Sequence, residues 1–253
     1  MSGRLAVVGL GPGPAEWITP EAAGAIAAST DIVGYGPYVE RLGLRRDQRA
    51  HASDNRAELD RARLALALAC DGRAVAVVSG GDPGVFAMAA AVFEAAEEEP
   101  QWRALEISVL PGVSAMQAAA ARLGAPLGHD FCAISLSDNL KPWSIVERRL
   151  KAATDGDFVI ALYNPASKAR PTRIVEAFDL LRRAKSAATP VAFARAVGRA
   201  EETLTIATLG AADVSLVDMA TLIIVGSSET RLVLRGDARA PWMLTPRSYG
   251  ASR

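Results

Sequence analysis

The sequence predicts an α/β protein built from βα units, and three observations carry that prediction. Short apolar, β-rich runs alternate with alanine-rich helical runs, and glycine and proline corners divide them. The chain has 253 residues, 50% hydrophobic and 22% charged, enough for two small domains each with its own core.

Residues 4–8 read as a strand and 20–28 as a helix. A second helix is expected over 55–69, where Asn55 followed by Glu58 has the form of a capping box. Residues 74–78 form a strand that runs into Ser79-Gly80-Gly81-Asp82-Pro83-Gly84, with a helix predicted over 85–96. The strand over 105–110 meets Pro111-Gly112 before a helix over 113–123. Residues 124–130 hold two glycines, a proline and an aspartate between periodic segments, which marks the connection between a domain over 1–125 and another over 126–253. Strands follow at 131–136, 158–163 and 190–195, with helices at 143–151 and 173–183. The closely spaced β-prone runs 203–208, 221–225 and 231–234 predict that the second domain's sheet mixes antiparallel strands with parallel ones.

Composition excludes several function classes. The 28 basic and 28 acidic side chains cancel, so the chain lacks the positive field that drives nucleic-acid binding. Only Lys141, Lys151, Lys168 and Lys185 are lysines; the other basic residues are arginines, whose guanidinium forks suit carboxylates. Cys70 and Cys132 form no CxxC pair, and His51 and His129 have no neighbour at ligand spacing, so neither a disulfide framework nor a metal site is expected. No apolar run approaches the roughly 20 residues of a membrane span, and no basic start precedes an apolar signal core. A soluble cytoplasmic protein is predicted.

The glycine corners are where ligands would bind. Val7-Val8-Gly9-Leu10-Gly11-Pro12-Gly13-Pro14 invites a dinucleotide reading, but the third glycine of that fingerprint would fall on Pro14. Asp31 precedes Ile32-Val33 instead of ending that strand, and no phosphate-loop lysine motif occurs. Nicotinamide and triphosphate chemistry are both disfavoured. Ser79-Gly80-Gly81-Asp82-Pro83-Gly84 lies beyond a strand's carboxyl end, where open α/β sheets bind ligands, and its glycines permit close backbone approach. Asp82 either caps the next helix or offers its carboxylate to a ligand. Pro111-Gly112-Val113-Ser114-Ala115 repeats this geometry one unit later.

In this order, these elements resemble the tetrapyrrole methyltransferases of corrin and sirohaem biosynthesis, over nearly the whole chain. Gly9 to Pro14 is similar to that family's GxGPG loop, Gly80-Gly81-Asp82-Pro83 to its GGDP loop, Pro111-Gly112-Val113-Ser114-Ala115 to its PGxSA turn, and the run 221–226 to its last-domain LIIVG strand. Four further motifs resemble the branch that methylates carbon 17 and contracts the ring in cobalamin synthesis. They are Tyr35-Gly36-Pro37-Tyr38, Ser53-Asp54-Asn55-Arg56, Ser137-Asp138-Asn139-Leu140-Lys141-Pro142-Trp143 and Leu162-Tyr163-Asn164-Pro165.

The resemblance implies a homodimer of two-domain α/β chains with a cofactor cleft between the domains. It implies S-adenosylmethionine as methyl donor, S-adenosylhomocysteine as by-product, no metal, and conversion of precorrin-3B to ring-contracted precorrin-4. Carried over by position, the cofactor contacts are Pro12, Gly80, Gly81, Asp82, Val85, Ser114, Ala115, Tyr163 and Ala192. Relatives usually carry Met near Tyr163. Tyr38, Asp138, Lys141 and His129 are the polar groups near segment ends that suit the proton transfers of ring contraction. Arg170, Arg173, Lys141 and Lys168 flank the motifs and suit the substrate's carboxylate arms. A sister enzyme acting at another ring carbon and a non-catalytic cofactor sensor are the competing readings.

Overall fold

A computed structural model of the chain describes residues 3–166, 171–236 and 239–250. The chain divides into two compact units, Met1–Ala115 and Met116–Arg253.

The first unit holds strands β1 (Arg4–Gly9), β2 (Asp31–Tyr35), β3 (Arg49–Ser53), β4 (Ala74–Ser79) and β5 (Glu106–Leu110). Its helices are α1 (Pro20–Ala28), α2 (Gly36–Glu40), α3 (Glu58–Cys70), α4 (Met88–Ala96) and α5 (Pro100–Arg103). All five strands are parallel, in the order β3-β2-β4-β1-β5. Parallel neighbours need crossover connections, which is why apolar runs alternate with helices along the chain. The sheet is covered on both faces, so its central strands read as continuous valine-rich runs. Val7, Val33 and Val77 pack with Ala65, Leu66 and Val92 of α3 and α4, while Val8, Ile32 and Val78 pack with Ala22 and Val39 of α1 and α2.

Two helix starts depart from the sequence expectation. The Asn55–Glu58 capping box does not form; α3 begins at Glu58 behind Ala57, which makes no side-chain cap bond. The preceding turn closes on Asp54 instead, whose Oδ1 accepts from Asn55 N at 3.2 Å and whose carbonyl accepts from Ala57 N at 3.3 Å. Helix α4 starts at Met88, not at 85, because Phe86 takes a φ of +53°, a left-handed conformation that an α-helix does not contain.

The second unit contains α6 (Ala115–Leu123), β6 (Gly124–Ala125), β7 (Phe131–Ser135), α7 (Trp143–Asp155), β8 (Val159–Tyr163) and α8 (Arg173–Ala184). It continues through β9 (Pro190–Arg195), β10 (Thr203–Thr208), β11 (Thr221–Val225), β12 (Arg231–Val233) and β13 (Trp242–Leu244). Its main sheet, β10-β9-β11-β8-β7, is mixed: β7 and β8 are parallel, and β11 runs antiparallel to both β8 and β9. Leu150 of α7 and Phe178 of α8 lie in one core with Leu162, Val191 and Ile223 of this sheet.

The seam between units falls after Ala115, whereas the sequence suggests 125. Both ends of α6 are tied to the second unit. Met116 N donates to Tyr163 Oη at 3.0 Å, and Gly124 and Ala125 pair as β6 with Met243 and Leu244 of β13 instead of forming a linker. No helix among the described residues is long and apolar enough to cross a membrane.

Candidate active site

Because the first sheet is wholly parallel, the carboxyl ends of its strands share one edge, with Gly9 in register with Ser79 and Tyr35 with Ser53. Three glycine corners meet there. Gly11 bridges Gly81, with Gly11 N donating to Gly81 O at 3.1 Å. A Cβ on Gly9 would lie 2.7 Å from Gly112 N, and one on Gly112 would lie 2.4 Å from Gly81 O. Main chain packs on main chain at these two positions, and no larger residue fits.

Gly81 differs. Its φ of +71° demands glycine, yet a Cβ there would meet nothing nearer than Ala115 N at 3.9 Å and Val113 O at 4.0 Å. At Gly81 it is thus the backbone conformation, and not a lack of space, that requires glycine.

Asp82 is the tie. Its Oδ1 accepts from Gly84 N at 2.8 Å and its Oδ2 from Gly112 N at 3.0 Å, joining the second corner to the third. It does not cap α4, which starts six residues later. Val85 N donates to Asp82 O at 3.3 Å and closes the same turn. Pro12 stands between Gly11 and Gly13 on the first corner, and Ser114 is buried on the third. Tyr38 lies against Gly80: a Cβ on that glycine would fall 2.6 Å from its ring. Tyr35 meets Tyr38 edge to face at 5.3 Å between centroids, and the Tyr38 hydroxyl makes no hydrogen bond with a described residue.

In the second unit, β7, β8 and β9 point the same way, so their carboxyl ends also share an edge. There Asn164, in the left-handed region at φ +50°, donates from Nδ2 to the buried Ser135 Oγ at 3.0 Å. Lys141 Nζ donates to Ser137 O at 2.8 Å. Asp138 accepts from Arg173 Nε at 2.8 Å, and Arg173 also binds Glu176 at 2.7 Å and lies 4.8 Å above the Trp143 ring. Hydrogen bonds to Glu176 and Asp138 hold the Arg173 guanidinium above its ordinary pKa. Its charge is thus neutralised within the unit, contrary to the expectation that it waits for substrate.

Tyr163 ends β8 and accepts from Met116 N. Ala192, by contrast, is fully buried in the middle of β9 with a strand on either side and has no surface to present. His129 Nδ1 accepts from Asp130 N at 2.8 Å and its ring packs edge-on against Tyr249. Arg170 and Lys168 lie outside the described residues.

Asp31 opens β2 at the opposite edge of the first sheet, where it accepts from His51 Nε2 at 2.8 Å, Thr30 Oγ1 at 2.8 Å and Arg73 at 3.0 Å. It has no part in binding a ribose beside the corners, which agrees with the failure of the dinucleotide pattern. Among the described residues no group of three or more His, Cys, Asp or Glu is arranged to hold a metal ion. Sequence reasoning missed Arg61, a buried arginine in α3 beside the glycine-bearing edge; its place in a Glu-Leu-Asp-Arg run reads as a solvated helix face.

The fold is that of an α/β methylase, with three glycine corners along one edge of its first sheet. Residues 4–213 match the model of the tetrapyrrole (corrin/porphyrin) methylases, and the chain belongs to that family. It is 58% identical over 255 residues to a precorrin-3B C(17)-methyltransferase from Sinorhizobium sp, covering 100% of both chains. The crystal structure of the methyltransferase CobJ superposes with a TM-score of 0.92 at 50% identity, covering 97% of this chain and 100% of that one. A uroporphyrin-III C-methyl transferase from Thermus thermophilus, solved in complex with S-adenyl homocysteine, shares the fold at a TM-score of 0.67 and 21% identity, over 88% of this chain and 97% of that one.

Proposed function

We propose that this chain methylates precorrin-3B at carbon 17 with S-adenosylmethionine and contracts the macrocycle. The observation that carries the reading is the end-to-end likeness, at 58% identity, to a precorrin-3B C(17)-methyltransferase. The same reading makes it a cytoplasmic homodimer, which light scattering at several concentrations tests.

S-adenosylmethionine, when bound, supplies an electrophilic methyl group on a sulfonium centre. The chain's part is to hold and orient, and proximity of this kind supplies much of the rate in an in-line transfer. Gly80, Gly81 and Ala115 are assigned to offer main chain to the cofactor, with Pro12, Val85 and Ser114 on the corners that flank them. Asp82 keeps two of these corners in fixed register through Gly84 N and Gly112 N, so the edge is ordered before ligand arrives. In the second unit Tyr163, at the end of β8, remains an assigned contact, while Ala192, buried in the middle of β9, drops out.

Ring contraction adds proton transfers to this positioning role. Of Tyr38, Asp138 and Lys141, Tyr38 alone has its proton-bearing atom uncommitted to a described residue. Lys141 remains the described cation proposed to meet a substrate carboxylate, with Arg170 as its companion.

The deciding assay incubates the purified chain with precorrin-3B and methyl-labelled S-adenosylmethionine. NMR should find the label on carbon 17, and mass spectrometry should find one methyl group gained. Label on another ring carbon moves the chain to a sister enzyme; no transfer to any precorrin favours a cofactor sensor.

A further inference from the structure

Arg61 is a buried cation without a counter-charge. It stands in the first turn of α3 and is 4% exposed. Its Nε donates to Ser53 Oγ at 2.9 Å, one terminal nitrogen to Asp54 O at 2.7 Å and the other to Met88 Sδ at 3.2 Å. All three acceptors, a hydroxyl, a carbonyl and a thioether, are neutral. Among the described residues no carboxylate lies within ion-pair distance of it, whereas Arg63 has Glu98, Arg73 has Asp31 and Arg173 has Asp138. A buried charge is costly unless something opposite in sign compensates it. Burial pushes this guanidinium's pKa down, and only the more distant Glu58 and Tyr38 work against that.

Its place in the fold says what the missing charge is for. The glycine corners occupy the half of the edge above β4, β1 and β5. The other half, above β2 and β3, carries Tyr35, Tyr38 and the turn of Ser53-Asp54-Asn55-Arg56, which Arg61 fastens from below. Through Met88 the same side chain holds the start of α4, the helix that comes after the Asp82 turn. The half not taken up by glycine is thus an aromatic and polar shelf over an unneutralised positive charge.

We propose that Arg61 is a specificity-determining positioning residue that fixes the Ser53–Arg56 shelf and supplies the counter-charge for a carboxylate arm of the tetrapyrrole. The proposal rests on the methyltransferase reading above. Arg61 does not itself touch the substrate; it acts through the turn it holds and through its field.

The test compares wild type with Arg61→Met, Arg61→Lys and Ser53→Ala. It uses steady-state kinetics with precorrin-3B, calorimetric affinity for S-adenosylhomocysteine, and melting temperature. Arg61→Met should raise KM for precorrin-3B roughly tenfold, as loss of uniform substrate binding does, with little change in kcat. Arg61→Lys keeps the charge but loses the fork, so its KM should fall between wild type and Arg61→Met. S-adenosylhomocysteine affinity should not move.

An unchanged KM in folded Arg61→Met overturns the proposal, and so does a parallel loss of both affinities, the mark of a residue that only supports the fold. If Arg61→Met does not fold, Arg61→Lys and Ser53→Ala carry the same comparison. Fluorescence binding of uroporphyrin III, a polycarboxylate tetrapyrrole, repeats it without turnover. A wild type that binds this probe but methylates no precorrin defeats the reaction reading while the Arg61 effect is still read in binding. A wild type that binds no tetrapyrrole overturns both.

Discussion

The carboxylate of Asp82 bonds the main chain of Gly112, Oδ2 to N at 3.0 Å, while its other oxygen holds Gly84 of its own turn at 2.8 Å. A single side chain therefore sets the spacing between the Gly80–Gly84 turn and the Gly112 turn. Asp82→Ala should lower stability by about 1.5–3 kcal/mol, the worth of hydrogen bonds to a charged group. It should also weaken S-adenosylhomocysteine binding roughly tenfold, because the loops lose their register. Calorimetry and thermal unfolding read the two effects; a loss of affinity at unchanged melting temperature would instead make Asp82 a direct ligand contact.

The glycines at this edge should separate into two kinds. Gly112→Ala forces a Cβ to within 2.4 Å of Gly81 O, so it should cost about 1–3 kcal/mol or more in stability. Gly81→Ala meets no atom closer than 3.9 Å and pays only for its φ of +71°, about 1–2 kcal/mol. Its larger effect should fall on cofactor affinity, since the proposed cofactor contact runs along this backbone. Equal losses of affinity per unit of lost stability in the two variants would argue that Gly81 faces no ligand.

These contrasts mark how far the sequence could be read. The glycine corners were legible because each succeeds a run such as Ala74-Val75-Ala76-Val77-Val78, whose period and composition announce a buried strand. The mixed second sheet was legible from the crowding of three β-prone runs in the tail. Strand β3 was not legible, because Arg49-Ala50-His51-Ala52-Ser53 has neither β-branched residues nor a buried face; it forms at the sheet margin beside β2. The capping box at Asn55 failed because local spacing cannot show that Asp54 closes that turn first. Arg61 was hidden for a related reason, since only the tertiary fold brings Ser53 and Met88 to it from opposite directions along the chain. Asp82 as a tie to Gly112, thirty positions away, is likewise a long-range fact with no local signal.

At the far edge of the same sheet, Asp31 gives a pH prediction. Burial disfavours its charged form, but hydrogen bonds from His51, Thr30 and Arg73 outweigh that and hold its pKa below the ordinary value of 3.8. A carboxyl whose folded pKa is depressed contributes stability that is complete above its unfolded value and is lost as pH falls through the folded one. Asp31→Asn should therefore cost about 2–4 kcal/mol at neutral pH, toward the lower end because His51 and Arg73 are partly exposed. The gap from wild type should close progressively below about pH 4. Thermal unfolding across about pH 2.5–7 checks this. Because the residue lies opposite the glycine corners, methyl transfer per folded molecule should not change.

The proton-transfer assignment is testable by pairing Tyr38 with Asp138. The Tyr38 ring covers Gly80 and its hydroxyl is not engaged by a described residue, whereas Asp138 is already bonded to Arg173 at 2.8 Å. A group tied into an ion pair is a poor proton acceptor, since taking a proton would break the pair. Tyr38→Phe should keep the ring packing and remove only the hydroxyl, so formation of the ring-contracted product should fall by about 100-fold or more, the usual contribution of a positioned acid or base. Cofactor affinity should stay near wild type. Asp138→Asn should lower the melting temperature and leave turnover within about tenfold, because Arg173 retains Glu176 and the face of Trp143. Rapid-quench analysis of methylated and contracted products separates the two steps. If Asp138→Asn stops contraction in a folded protein while Tyr38→Phe does not, the proton passes through the second unit's loop and Tyr38 is a packing residue on Gly80.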